Sequence, residues 1–99
     1  MPKYFADKVL GHWLYFTSHC VVEAMHVHAS SDGRLREKGA AKFFVYANGD
    51  TKMTSQGTIA DRDVPEIQAF IKQHYLEMFA KWSEVSSSGF YGQPQVGAE

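Results

Sequence analysis

From residue 67 onward, Ile67, Phe70, Ile71, Tyr75, Met78, Phe79, Trp82 and Val85 recur at spacings of three and four. Only an α-helix brings such a series onto one face. Lys72, Gln73, Glu77, Lys81 and Glu84 fall off that face, so the helix is amphipathic and has to bury its apolar stripe against something else. Asp63-Val64-Pro65-Glu66 has capping-box spacing at its start, with Pro65 in the first turn, where its missing N–H does no harm. Asp61 is an alternative cap, and Ser86-Ser87-Ser88-Gly89 ends the helix.

The first half of the chain supplies the surface that such a helix needs. Trp13–Thr17 is aromatic and β-favouring, and a second strand runs from about Met25 to Ser30 before the Ser31-Asp32-Gly33 turn. Arg34 to Gly39 reads as a charged, solvated loop. Ala41–Tyr46 is the most apolar strand. Asn48-Gly49 then predicts a two-residue type I′ hairpin, with Thr51 to Thr54 returning as a fourth strand. These signals together predict an α+β fold: a small antiparallel sheet of three to four strands covered by one long amphipathic C-terminal helix. Residues 1–85 form the single domain, and 86–99 form a flexible tail rich in Ser, Gly and Gln.

At 99 residues, 44% hydrophobic and 14% aromatic, the chain can build a modest core without staples. Its formal charge of −1 argues against a dedicated nucleic-acid binder. The one cysteine, Cys20, cannot close an internal disulfide, no apolar run approaches the length of a membrane span, and residues 1–8 lack a signal pattern. The expected compartment is the cytoplasm, with no membrane partner.

His26-Val27-His28 is the segment that most invites a chemical reading. Residues two apart on a strand share a face, so both imidazoles point the same way. Three uses compete. As metal ligands, His26 and His28 would hold zinc only with a third donor, for which His12, His19, Glu23, Asp32 and His74 lack diagnostic spacing. As an acid/base pair with Lys42 as the phosphate cation, they would suit a ribonuclease-like phosphoester cleavage if their strands are neighbours. As core residues, one imidazole would be exposed and the other would donate to a backbone carbonyl. Similarity to the histidine-triad hydrolases stops at Ser30, where a third His belongs, and the two-histidine phosphoesterases need a second His-x-Ser/Thr motif that is absent. The expectation is therefore no cofactor and no catalytic set.

The order of these motifs resembles a known family. Trp13 to Ser18, His26-Val27-His28, Ala41-Lys42-Phe43-Phe44-Val45 and a helix ending at Trp82 are similar to domain of unknown function 4160, over roughly Gly11 to Ser83. That family carries prolines directly before its His-Val-His, where this chain has Ala24-Met25, so the aim of His26 is the point at which the resemblance weakens. It implies a compact αβ fold and a setting near toxin–antitoxin-like or mobile-element genes, and it implies no activity. The resulting expectation is a non-enzymatic interaction module for a protein partner or a homodimer. Its binding residues are Trp13, Tyr15, Phe44 and Tyr46 on an open sheet face; the alternative is metal or phosphoester chemistry at His26 and His28.

Overall fold

The computed structural model describes residues 3–17 and 22–92. Strands β1 (Trp13–Tyr15), β2 (His26–Ser30), β3 (Ala41–Val45) and β4 (Thr51–Ser55) form one antiparallel sheet in the order β1-β2-β3-β4. A short 3₁₀ turn (Asp61–Asp63) leads into helix α1 (Val64–Ser83). The fold is the α+β arrangement expected of a helix stripe laid over a small meander.

The stripe and the sheet alternation meet in one core. Ile67, Ile71, Met78 and Trp82 of α1 are fully buried and cluster with Leu14, Val27, Ala29, Ala41, Phe43 and Val45, which occupy one face of the sheet. At about 25 cal/mol per Å² of apolar area, each large side chain in this set contributes about 1.5–3 kcal/mol. Val85 does not belong to it. The helix stops at Ser83, and Val85 is exposed beyond it, because Val85 and Ser86 close the end by donating to the Trp82 carbonyl.

Two local devices differ from the expectation. Asp63 makes no side-chain cap; its backbone is already helical, continuing the 3₁₀ turn, and its carboxylate lies 3.7 Å from His12 Nε2 instead. The β3–β4 connection is not a type I′ turn either. Asn48 does not take positive φ; Gly49 alone does, at 89°. Tyr46 N–H donates to the Asp50 carbonyl across a three-residue loop, and the Asn48 side-chain carbonyl accepts from Asp50 N–H. An Asn side chain that caps the turn in this way lets Asn48 avoid positive φ and leaves the left-handed position to glycine.

A type I′ hairpin occurs elsewhere, before β1. Val9 and His12 exchange both backbone hydrogen bonds (2.8 and 2.9 Å), and the two residues between them, Leu10 and Gly11, have φ of 53° and 81°. The segment before it joins the outer edge of β1, with Tyr4 N–H on the Leu14 carbonyl and a bridge from Lys3 to Tyr15. Residues 86–92, expected to begin a flexible tail, are tied down at several points. Gly89 accepts from Met25 N–H, Tyr91 N–H donates to Val45, and Trp82 Nε1 donates to the Ser88 carbonyl. Phe90 stacks on Phe79 of the helix, whereas Tyr91 stacks on Phe44 of the sheet. Residues 93–99 of that tail lie outside the described residues, as do His19 and Cys20.

Candidate functional site

The register pairs His28 with Lys42 and with Tyr15, and His26 with Phe44. By register all five side chains share the sheet face opposite the Val27–Phe43 core face, although the His26 ring, at the start of β2, also reaches Trp82 near the end of α1. The strands that a ribonuclease-like reading requires are indeed neighbours, and they bring His26, His28 and Lys42 together. The two imidazole rings lie 5.1 Å apart, edge to face.

This face is not open. Both histidines are buried, at 0% and 3% exposure, where the sequence suggested that one would be exposed. Strand β2 has neighbours on both sides and is buried on both faces, so its expected in–out alternation disappears. Residues 31–40 fold over one end: Leu35 packs with Trp13, Tyr15 and Ala40, and the Tyr15 hydroxyl donates to the Arg36 carbonyl. Tyr91 covers the other end, its ring 4.4 Å from that of Phe44 and 5.3 Å from that of Tyr46. The four residues expected to form an exposed aromatic patch thus fare differently. Tyr15 is fully buried and is not a surface residue. Trp13, Phe44 and Tyr46 are half-buried, the last two against Tyr91.

Each imidazole is held by the backbone. His26 Nδ1 lies 2.8 Å from the Ala24 carbonyl and His28 Nδ1 lies 3.3 Å from that of Ala41. A carbonyl only accepts, so each Nδ1 carries the proton, and Ala24, one of the two residues standing where the family has prolines, fixes the aim of His26 by its carbonyl. His26 Nε2 is then a bare acceptor, buried and without a hydrogen-bond partner among the described residues, beside the rings of Trp82 and Phe44. Burial dominates its ionisation and lowers its pKa to about 4, while the Ala24 hydrogen bond opposes that shift. His28 is lowered too, again chiefly by burial. At pH 7 a group with pKa about 4 is an imidazolium in roughly one molecule in a thousand, so His26 stands as a neutral ring whose one N–H is held by the Ala24 carbonyl, and not as a charged general acid.

Lys42 is committed as well. Its ammonium lies 3.0 and 3.2 Å from the two carboxylate oxygens of Glu23 and sits 4.8 Å over the Phe44 ring. Among the described residues no group of three or more His, Cys, Asp and Glu is placed to hold a metal. The other suggested ligands are dispersed: His12 beside Asp63, His74 on Glu77, Asp32 accepting from the backbone of Arg34, and Glu23 on Lys42.

A different feature is open to solvent. A groove of about 540 Å³ runs between the Leu10–Gly11 hairpin and α1, lined by Val9, Leu10, Ala69 and Phe70, with Lys8, Glu66 and Gln73 as its polar residues. Leu10 is 49% exposed at the hairpin tip, and Leu76, one turn beyond Gln73, is 66% exposed. A leucine in left-handed backbone costs about 1 kcal/mol relative to the Asn, Asp or Gly that favour such a turn. The sequence signal for this hairpin is an X-Gly pair between Val9 and His12, masked because leucine is a poor type I′ residue.

A family model, Domain of unknown function (DUF4160), matches residues 11–83. The chain belongs to this family. The match begins at Gly11 and ends at the last residue of α1, so the DUF4160 region takes in the whole sheet, both histidines and the helix. It leaves out Leu10 of the hairpin and the 84–92 strap. The chain matches no curated protein and no solved structure. No helix among the described residues is long and apolar enough to cross a membrane.

Proposed function

We propose that this DUF4160 protein acts by contact rather than by covalent chemistry, as an interaction module whose groove takes a second copy of the chain. In the toxin–antitoxin-like or mobile-element setting that the family resemblance implies, such a module would be one component of a small system. The observation that carries the reading is Leu10: an exposed leucine held in left-handed backbone at the edge of an apolar groove. Local backbone strain of this kind persists where something other than local stability selects the residue. A projecting apolar tip beside an apolar hollow is also self-complementary, as a two-fold contact requires, and Lys8 and Glu66 put opposite charges on the two walls. Buried, carbonyl-bound histidines and a carboxylate-paired Lys42 favour contact over proton transfer.

The test is a dilution series followed by amide NMR. Dilution should shift the signals of residues 8–11 and 66–76 together while those of residues 41–45 stay still. Spectra that do not change with concentration, or that change only on the β4 side, would overturn the groove as the contact surface.

A further inference from the structure

The overall charge of −1 conceals a segregation of charge. Of the ten Lys and Arg side chains, Lys42, Arg62 and Lys72 lie within 4 Å of carboxylates, whereas Lys81 donates to the Tyr4 carbonyl and Lys52 sits 5.6 Å from the Tyr91 ring centroid. Lys3, Lys8, Arg34, Arg36 and Lys38 have no ion-pair partner among the described residues, and all five are exposed. These five lie on two segments that pack against one half-buried indole. The Lys3 and Lys8 ammonium groups sit 4.2 and 5.6 Å from the Trp13 ring centroid. Loop 31–40 is held against the same ring by Leu35 and by Gly33, where a Cβ would come within 3.9 Å of Trp13 Nε1. The same two segments also carry the exposed carboxylates Asp7, Asp32 and Glu37, so the balance is five cations to three anions; Asp32 accepts from Arg34 N–H, and Glu37 accepts from the Thr17 hydroxyl. Asp7 is the one exposed carboxylate between the two lysines.

We infer that the Trp13 surface binds single-stranded nucleic acid. A net-positive surface whose cations are held in no ion pair, set around a single aromatic face, is what a strand of phosphates with free bases fits: the phosphates take the cations and a base stacks on the ring. A lysine over an indole is a replaceable cover. A base that displaces Lys3 from the ring face frees its ammonium to move to a neighbouring phosphate. A duplex hides its base faces and would use the cations alone. This surface is separate from the proposed self-association, sharing only Lys8 with the groove, so either can fail without the other.

The experiment titrates the full chain with a 12-nucleotide oligo(U), a duplex of equal length and heparin, following tryptophan fluorescence and anisotropy. Trp82 is buried, so quenching by a stacked base reports Trp13. Expected are binding of the single strand with quenching, and an affinity loss of about 50-fold between 50 and 200 mM salt if four phosphates are neutralised. Arg34→Gln/Arg36→Gln/Lys38→Gln, all exposed positions, should reduce the affinity and the salt dependence together. Trp13→Phe should keep most of the binding, and Trp13→Ala should lose tenfold or more, in line with about 1–3 kcal/mol per stacked base. Absence of oligo(U) binding at 50 mM salt would overturn the inference. So would equal affinity for duplex or heparin without quenching, or a triple variant that binds as the parent does.

Discussion

His26 illustrates how position on a strand decides what a residue can do. The imidazole is buried, donates from Nδ1 to Ala24, and has its pKa lowered to about 4 chiefly by burial. The ordinary value is about 6.5, so the unfolded chain takes up a proton at this site between pH 6.5 and 4 while the folded chain does not. Stability from this group is therefore full above about pH 6.5 and is lost as pH falls towards 4, by on the order of 3 kcal/mol. His28 shifts in the same direction. Urea unfolding at pH 7.5 and pH 5.0 should show the parent losing more stability on acidification than His26→Gln, which has no titrating ring. Equal losses in the two proteins would mean that His26 is solvated in the native state.

At the scale of elements, α1 and the β3–β4 region carry the sharpest packing tests. Trp82 is fully buried, 5.1 Å from the Phe16 ring and 5.5 Å from that of His26, with its N–H on Ser88. Trp82→Ala should destabilise by about 3–5 kcal/mol, read by denaturant midpoint; a loss under about 1 kcal/mol would contradict its place in the core. Gly57 has φ of 58°, and a Cβ there would come within 2.5–2.6 Å of the Ala40 and Ala41 backbone. Gly57→Ala forces backbone apart, so a loss of at least about 2 kcal/mol is expected in the same measurement.

These two sites also separate what the chain states openly from what it conceals. The helix stripe announces itself through spacing, and the strands through their aromatic and β-branched runs, because both periods are local. Gly57 gives no such sign, since its constraint is contact with residues sixteen and seventeen positions earlier. Tyr15 misled in the same way. Alternation places it on one face with Trp13, a face that the register shows to include His28, but the cover over that face comes from Leu35, twenty residues on, in a stretch that reads as solvated charge. His26 and His28 were correctly set on one face, yet whether that face is wet depends on Tyr91, Leu35 and the carbonyl of Ala24. Leu10 was missed because turn chemistry argues against it.

For the whole molecule, both sheet faces are covered, one by α1 and the other by loop 31–40 and the 86–92 strap. Among the described residues the exposed large apolar side chains are Leu10 at the hairpin tip, Leu76 on the outer side of α1, and Val22 and Val85 outside both elements; only the first two flank the groove between hairpin and helix. Burying a leucine at an interface contributes about 1.5–3 kcal/mol, so replacing both exposed anchors by aspartate should weaken association by two orders of magnitude or more. Both positions are solvent-exposed in the single chain, and aspartate tolerates the left-handed backbone at residue 10, so the monomer should keep its fold. The direct measurement is sedimentation equilibrium of the parent and of Leu10→Asp/Leu76→Asp over a range of concentrations, with circular dichroism to confirm folding. The account predicts a parent that populates a dimer and a folded double variant that stays monomeric. A parent that remains a monomer at about 100 μM, or a double variant that dimerises as the parent does, would contradict it.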